Sequence, residues 1–256
     1  MTREADKVSF TQMKDGNYED YQLLKKLEKP YLNLTASRIM DELKRQLRNV
    51  FSILVMTKET DQVSFTQMKD GSYDDYQLLK KLEKPYLNLT ASRIIDELRR
   101  QGEATLEGYR ITRLDHGLQS ATRAEADGVD IDWIVGALLH DIGDGLAPQN
   151  HDKFSAEVIR PFVRWEVTWV VAHHGIFQMI YYAHHYGWDK DARDRYRNHP
   201  CFDMCSKFCE RWDQKSFDPD YPSKTLEYFQ PMVEEVFSRK AFSPEVIKEN
   251  EAIGFD

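Results

Sequence analysis

The sequence predicts an all-α protein, and three observations carry that expectation. From residue 113 onward apolar residues recur at helical spacing. No stretch alternates apolar and polar residues for long enough to read as a strand. Helix start and stop signals separate the apolar stretches: Thr35-Ala-Ser37, Asp127-Gly128, Asp130, and the turn-rich Asp218-Pro-Asp-Tyr-Pro222. A chain of 256 residues that is 41% hydrophobic and 12% aromatic has enough apolar surface for a sizeable core in one or two domains.

In chain order the first feature is a duplication. Residues 6–46 recur as residues 61–101 with 36 of 41 positions identical. The five differences are Lys7/Gln62, Asn17/Ser72, Glu19/Asp74, Met40/Ile95 and Lys44/Arg99, most of them close in shape or charge. Two such copies are too few for a solenoid, which needs about three stacked units. Each copy reads as an acidic turn, a polar helix (residues 18–29 in the first), a break at Pro30, and an amphipathic helix beginning near Thr35. The second copy runs directly into the rest of the chain and is expected to be integral to it. Residues 1–60 are expected to be a surplus first copy with its linker, either loosely attached, or competing for the same docking surface, or an error in the predicted gene product, and residues 61–256 the working unit.

The next helix carries Leu114, Leu118 and Ala121 on one face, with His116 at its edge, and ends at Asp127-Gly128. A second begins near Asp130 and buries Ile131, Ile134, Val135, Leu138 and Leu139 before delivering His140-Asp141. Ionisable groups at the end of an apolar helix need partners, since burying them alone costs several kcal/mol, and a metal or hydrogen-bonding groups would supply them. One histidine is usually an ordinary core or surface residue, but His116, His140-Asp141, His151, His174 and Asp213 each lie in or beside an apolar helical stretch. Four imidazoles and two carboxylates suit iron, manganese, zinc, copper or nickel rather than calcium or magnesium, and six donors are enough for two ions.

Composition excludes other classes. The net charge of -8, with Lys and Arg scattered, argues against nucleic acid. The first residues lack the apolar core of a secretion signal, and the longest aliphatic run, residues 50–56, is too short to span a membrane, so a soluble cytoplasmic protein is expected. Cys201, Cys205 and Cys209 recur at i, i+4, i+8, which lines one helical face with reduced thiols and makes no disulfide framework. The final amphipathic helix, residues 226–237, reads as scaffold.

The stretches Arg113-Leu-Asp-His116-Gly-Leu-Gln-Ser120, Ala137-Leu-Leu-His140-Asp141-Ile-Gly143, Asn150-His151-Asp152, His173-His174-Gly-Ile-Phe177 and Arg211-Trp-Asp213 together resemble the HD-domain superfamily. Within it they are similar to the oxygenase branch, which includes myo-inositol oxygenase and the phosphonate-cleaving diiron oxygenases. The resemblance spans residues 108–237 and implies an HD helical bundle. It implies one iron held by His116, His140, Asp141 and Asp213 and a second held by Asp141, His151 and His174, with Asp141, His151 and His174 as the catalytic set. Between His173 and His174 only the resemblance points to His174, because neighbours on a helix diverge by about 100°. It further implies a mixed-valence Fe(II)/Fe(III) pair, with manganese or zinc as other occupants, that uses dioxygen to attack a C–H bond of a small molecule. An HD-type metal phosphohydrolase is the alternative, less favoured because only Lys153, Arg160 and Arg164 lie close to the ligands in sequence.

Departures from those relatives fall on substrate positions. Asp144 and Phe217 stand where myo-inositol oxygenase has lysines, Gln178 where the phosphonate enzymes have a lysine, and Leu106 and Tyr109 where they have a Tyr/Glu pair. Asp144, Gln178 and Tyr109 are therefore the candidate substrate residues. The loss of cations and the aromatic residues Phe177, Tyr181, Tyr182, Trp188 and Trp212 suggest a neutral or cationic substrate, although ordinary packing explains aromatics more often. The residues leave oligomeric state open.

Overall fold

The computed structural model describes residues 18, 21, 22, 62–103 and 108–255. The first repeat copy lies mostly outside the described residues, as does Leu106. Among the described residues the chain is helical, with no strand. The helices are α1 (Tyr73–Asn88), α2 (Thr90–Gln101), α3 (Arg113–Ala126), α4 (Ile131–Leu139), α5 (His151–Ile159), α6 (Trp165–Tyr186), α7 (Phe202–Phe208), α8 (Leu226–Ser238) and α9 (Pro244–Ile247). None is long and apolar enough to cross a membrane.

The starts of the site-bearing helices follow from their caps. At α3 the Thr112 hydroxyl accepts from the Asp115 amide and the Asp115 carboxylate accepts from the Thr112 amide, a reciprocal capping box. At α4 Asp130 accepts from the amides of Asp132 and Trp133. Gly128, at φ 76°, makes the left-handed turn between these helices.

Helices α3, α4, α6 and the α7 region enclose one core, in which Trp133, Leu138, Leu139, Val167, Val170, Val171, Phe208 and Trp212 are buried. Each such side chain contributes about 1.5–3 kcal/mol through burial. α2 joins this core through Ile94, Ile95 and Leu98, as expected of the second repeat copy's amphipathic helix. α3 and α4 approach so closely at Gly117 that a Cβ there would sit 2.7 Å from the Leu138 carbonyl oxygen. That approach brings His116 beside His140.

The expected break at the second copy's proline does not occur. α1 runs through Pro85 to Asn88, and the change of direction falls at Leu89. Lys81, Lys84 and Pro85 are exposed, so the carbonyl that loses its amide partner faces water, and the helix ends within a turn. The three cysteines are buried and free: Cys201 precedes α7, Cys205 lies within it, and Cys209 opens the turn that follows. Phe177 and Trp212 are fully buried core residues rather than walls of an open cleft.

Candidate metal centre

Five segments deliver the six candidate residues to one place. His116 is on the first turns of α3, and His140 and Asp141 follow the last residue of α4. His151 is the first residue of α5, and His174 lies midway along α6. Asp213 closes a π-helical turn, Cys209–Asp213, that continues α7. A π turn holds one residue more than an α turn and so re-aims whatever follows, a device frequent at functional sites. Here it turns Asp213 inward to 3.2 Å from His116 Nε2 and 3.5 Å from His140 Nε2.

Asp141 lies between two clusters. Its Oδ2 is 3.5 Å from Nε2 of both His116 and His140. Its Oδ1 is 3.3 Å from His151 Nε2 and 3.1 Å from His174 Nε2. Within the clusters, His116 and His140 Nε2 are 3.1 Å apart, and His151 and His174 Nε2 are 3.3 Å apart. Donor atoms around an ion with bonds of about 2.1 Å are separated by about 3 Å when they subtend a right angle, so these spacings suit one ion per cluster.

The backbone fixes which nitrogen faces inward. Each Nδ1 meets a carbonyl oxygen: Ser216 at 2.8 Å from His116, Ala137 at 2.8 Å from His140, Pro148 at 3.2 Å from His151, and Val171 at 2.7 Å from His174. A carbonyl only accepts, so each Nδ1 carries the proton and donates it, which leaves each Nε2 with its lone pair pointing at the other ligands. Four inward lone pairs and two carboxylates repel one another unless cations sit among them. Asp213 Oδ2 is buried without a hydrogen-bond partner, a further acceptor that a cation would satisfy.

Without an ion, protons on the imidazoles offset the carboxylates. Burial favours neutral imidazoles, but the hydrogen bond and charge of Asp213, with the charge of Asp141, outweigh it at His116 and raise its pKa. At His140 burial is outweighed by the charges of Asp141 and Asp213, and at His174 by the bond to Asp141, with the same result. For Asp141 burial opposes ionisation, yet His140, His151 and His174 hold its pKa well below the usual carboxylate range; Asp213 is lowered likewise by His140 and His116.

The cluster is open on one side. His116, His140, His174 and Asp213 are buried, whereas Asp141 and His151 keep 27% and 28% of their side-chain surface, so the cluster meets solvent there. Asp144 lies on this side, 4.0 Å from His151 Nδ1, and Arg113 donates to it. Asp144 is therefore paired, which removes its unbalanced charge as a ground for expecting a cationic substrate. Arg113 is the residue that sequence reasoning missed: it lies one helical turn before His116, a spacing that puts both on one face. Gln178, one turn beyond His174, is buried with Oε1 unpartnered. Tyr109 stacks on Phe217 at 5.3 Å, and Phe217 lies 4.6 Å from the His116 ring, so positions 109 and 217 both border the cluster. His173 faces away: its Nδ1 donates to the Trp169 carbonyl and its ring stacks on Trp169 at 4.0 Å.

Residues 113–201 match the family model of the HD domain. Asp213 and its π turn lie beyond it. A curated relative from Leisingera caerulea, a [1-hydroxy-2-(trimethylamino)ethyl]phosphonate dioxygenase (glycine-betaine-forming), is 36% identical over 86 residues, covering 29% of this chain. The match spans 44% of the length of that relative.

Proposed function

We propose, with the HD domain as premise, that this chain is a dinuclear metal oxygenase, its ions iron, acting with dioxygen on a C–H bond of a small hydroxylated or amino-functional molecule. The observation that carries the reading is the division of Asp141, one oxygen toward each histidine pair. His116, His140, Asp213 and Asp141 Oδ2 would hold one ion, and Asp141 Oδ1, His151 and His174 the other. An imidazole and carboxylate donor set of this kind fits iron. When bound, an iron pair supplies the redox chemistry that activates dioxygen toward a C–H bond.

The residues of the chain do the rest. Backbone carbonyls hold the Nδ1 of all four imidazoles, so each Nε2 already faces the cluster when ions arrive. The buried wall of His140, Phe208 and Trp212 keeps water from the far side. Substrate enters at the Asp141 and His151 face, where Arg113 and Asp144 offer a charged pair. The dioxygenase relative, whose named substrate is a hydroxylated phosphonate bearing a trimethylamino group, supports the oxygenase class and a small polar substrate.

A phosphohydrolase reading is favoured by one observation, the Arg113 guanidinium at the open face, since phosphoryl transfer needs a cation near the developing charge. The two readings separate in one experiment on iron-loaded protein. Dioxygen uptake is followed with a panel of 1-hydroxyphosphonates and amino alcohols, and phosphate release with a panel of phosphate esters. Substrate-dependent dioxygen uptake without phosphate ester cleavage is the expected outcome; ester cleavage without dioxygen uptake would reverse the order of the readings.

A further inference from the structure

The stretch after α9, Glu249-Asn-Glu-Ala-Ile-Gly-Phe255, is polar or small except for two apolar side chains. Lys248 and Asn250 turn it, both in the left-handed region at φ 46° and 69°, and the Glu251 amide donates to the Lys248 carbonyl at 3.0 Å. Residues 248–254, Ile253 among them, are exposed, whereas Phe255 is partly buried and packs on the main core. Its ring stacks on Trp212 at 4.6 Å and meets Trp133 edge-on at 4.8 Å. Lys207 Nζ donates to its carbonyl at 3.0 Å, and a Cβ at Gly254 would stand 3.6 Å from Met204 Cγ and Sδ, so α7 anchors the same residues.

Trp212, on which Phe255 stacks, is the residue before Asp213 in the π turn. Its indole is fully buried: Nε1 donates to Asp127 Oδ2 at 2.6 Å, and the ring meets Phe208 edge-on at 5.4 Å. Its carbonyl accepts from the Ser216 hydroxyl at 2.6 Å, and the Ser216 carbonyl is the acceptor for His116 Nδ1. The turn is closed by the Gln214 amide on the Cys209 carbonyl and by the Ser216 amide on the Asp213 carbonyl, both at 3.0 Å. A displaced Trp212 therefore moves Asp213 through the peptide bond and His116 through Ser216, and both belong to one cluster. The turn meets α6 at its first residue, where Cys209 Sγ donates to the His174 carbonyl at 3.5 Å, away from the Phe255 contact.

A π turn is rare and held against the more usual α register by its surroundings, and an aromatic stack with preferred geometry is one such restraint. We propose that Phe255 is a positioning residue for the metal centre: stacked on Trp212, it holds the π turn in the register that aims Asp213 and seats Ser216 against His116. The inference rests on the reading of His116, His140, Asp213 and Asp141 Oδ2 as the ligands of one ion. It makes the two ions unequal in their dependence on Phe255, because His151 and His174 come from α5 and α6 and are not reached through Trp212.

The test compares Phe255→Ala, Phe255→Tyr, which keeps the stacking ring, and Val233→Ala, a buried change on α8 that lowers stability without touching the turn, all in the full chain. Hydrogen exchange of metal-free protein is read by mass spectrometry over residues 209–216 and over residues 165–176. Phe255→Ala should speed exchange several-fold in the first stretch and leave the second unchanged, Phe255→Tyr should restore it, and Val233→Ala should not reproduce the pattern. Chelator competition on iron-loaded protein should then show one ion released several-fold more readily in Phe255→Ala and the other unchanged. If Phe255→Ala folds poorly, Lys207→Met, which removes the bond to the Phe255 carbonyl, is read in its place and should shift both measurements in the same direction. Unchanged exchange over residues 209–216, equal weakening of both ions, or the same pattern from Val233→Ala would overturn the proposal. Fewer than two ions in the unaltered protein would instead count against the dinuclear reading, and the exchange measurement would still decide whether Phe255 holds the turn.

Discussion

Replacing Asp141 with alanine should cost the protein both metal ions, which follows from how its two oxygens are divided. Before the change, one cluster has four donors, His116, His140, Asp213 and Asp141 Oδ2, and the other has three, Asp141 Oδ1, His151 and His174. Removal leaves three donors and two. Losing one partner of a buried charge pair costs about 3–5 kcal/mol, a factor of roughly 10² to several 10³ in affinity, and here the loss falls on each ion. Asp213→Ala is the matched control, because among the described residues the histidines paired with Asp213 are His116 and His140, and its loss should spare the second ion. The assay is metal content per chain by mass spectrometry after dialysis against a weak chelator, with circular dichroism to confirm folding. About two ions in the wild type, about one in Asp213→Ala and close to none in Asp141→Ala is the pattern expected from the bridging geometry. Retention of both ions by Asp141→Ala would refute the bridging role.

Three further outcomes are expected. Deleting Glu210 should let the π turn relax to an α turn and rotate Asp213 by about 100°, so that one ion is lost while far-UV dichroism is kept; unchanged metal content would show that the π turn does not aim Asp213. Gly117→Ala forces a Cβ to within 2.7 Å of the Leu138 carbonyl oxygen, and the melting temperature should fall as expected for about 1–3 kcal/mol of overpacking; an unchanged melting temperature would mean that α3 and α4 separate at no cost. The raised pKa values of His116, His140 and His174 set a pH dependence for metal-free protein. Their stabilisation is complete below the unfolded value of 6.5 and is lost as pH rises through the folded values, while that of Asp141 and Asp213 is present above 3.8 and lost as pH falls. Thermal melts from pH 6.5 to 8.5 should therefore show metal-free protein losing stability relative to loaded protein, and calorimetry should show metal uptake releasing protons; equal pH slopes for the two forms would contradict the shared proton and metal site.

Much of the site was legible because its donors sit at helix positions that periodicity and caps locate. Leu114, Leu118 and Ala121 set the face of α3, and the apolar run from Ile131 to Leu139 carries His140 and Asp141 to a buried end, where an ionisable pair is conspicuous. The helices from Thr90, Arg113, Ile131 and Leu226 begin close to where their sequence signals stand. What escaped detection depends on tertiary placement. The π turn before Asp213 has no sequence signature, since it differs from an α turn by one hydrogen-bond register. Pro85 gave a break signal that solvent on its exposed face overrides. The pairing of Arg113 with Asp144 joins residues 31 apart, so neither residue's neighbours in sequence signal it. Tyr21 was indistinguishable from Tyr76 by sequence, and only its place against Tyr182 and His185 separates them.

The central claim is a coupled pair of irons, and low-temperature electron paramagnetic resonance on anaerobically purified, partly oxidised protein tests it most directly when joined to metal counting. The account predicts about two irons per chain and a signal from a coupled Fe(II)/Fe(III) pair that disappears in Asp141→Ala. A single ion per chain, or a stoichiometric redox-silent metal such as zinc with no coupled signal after iron reconstitution, would contradict it.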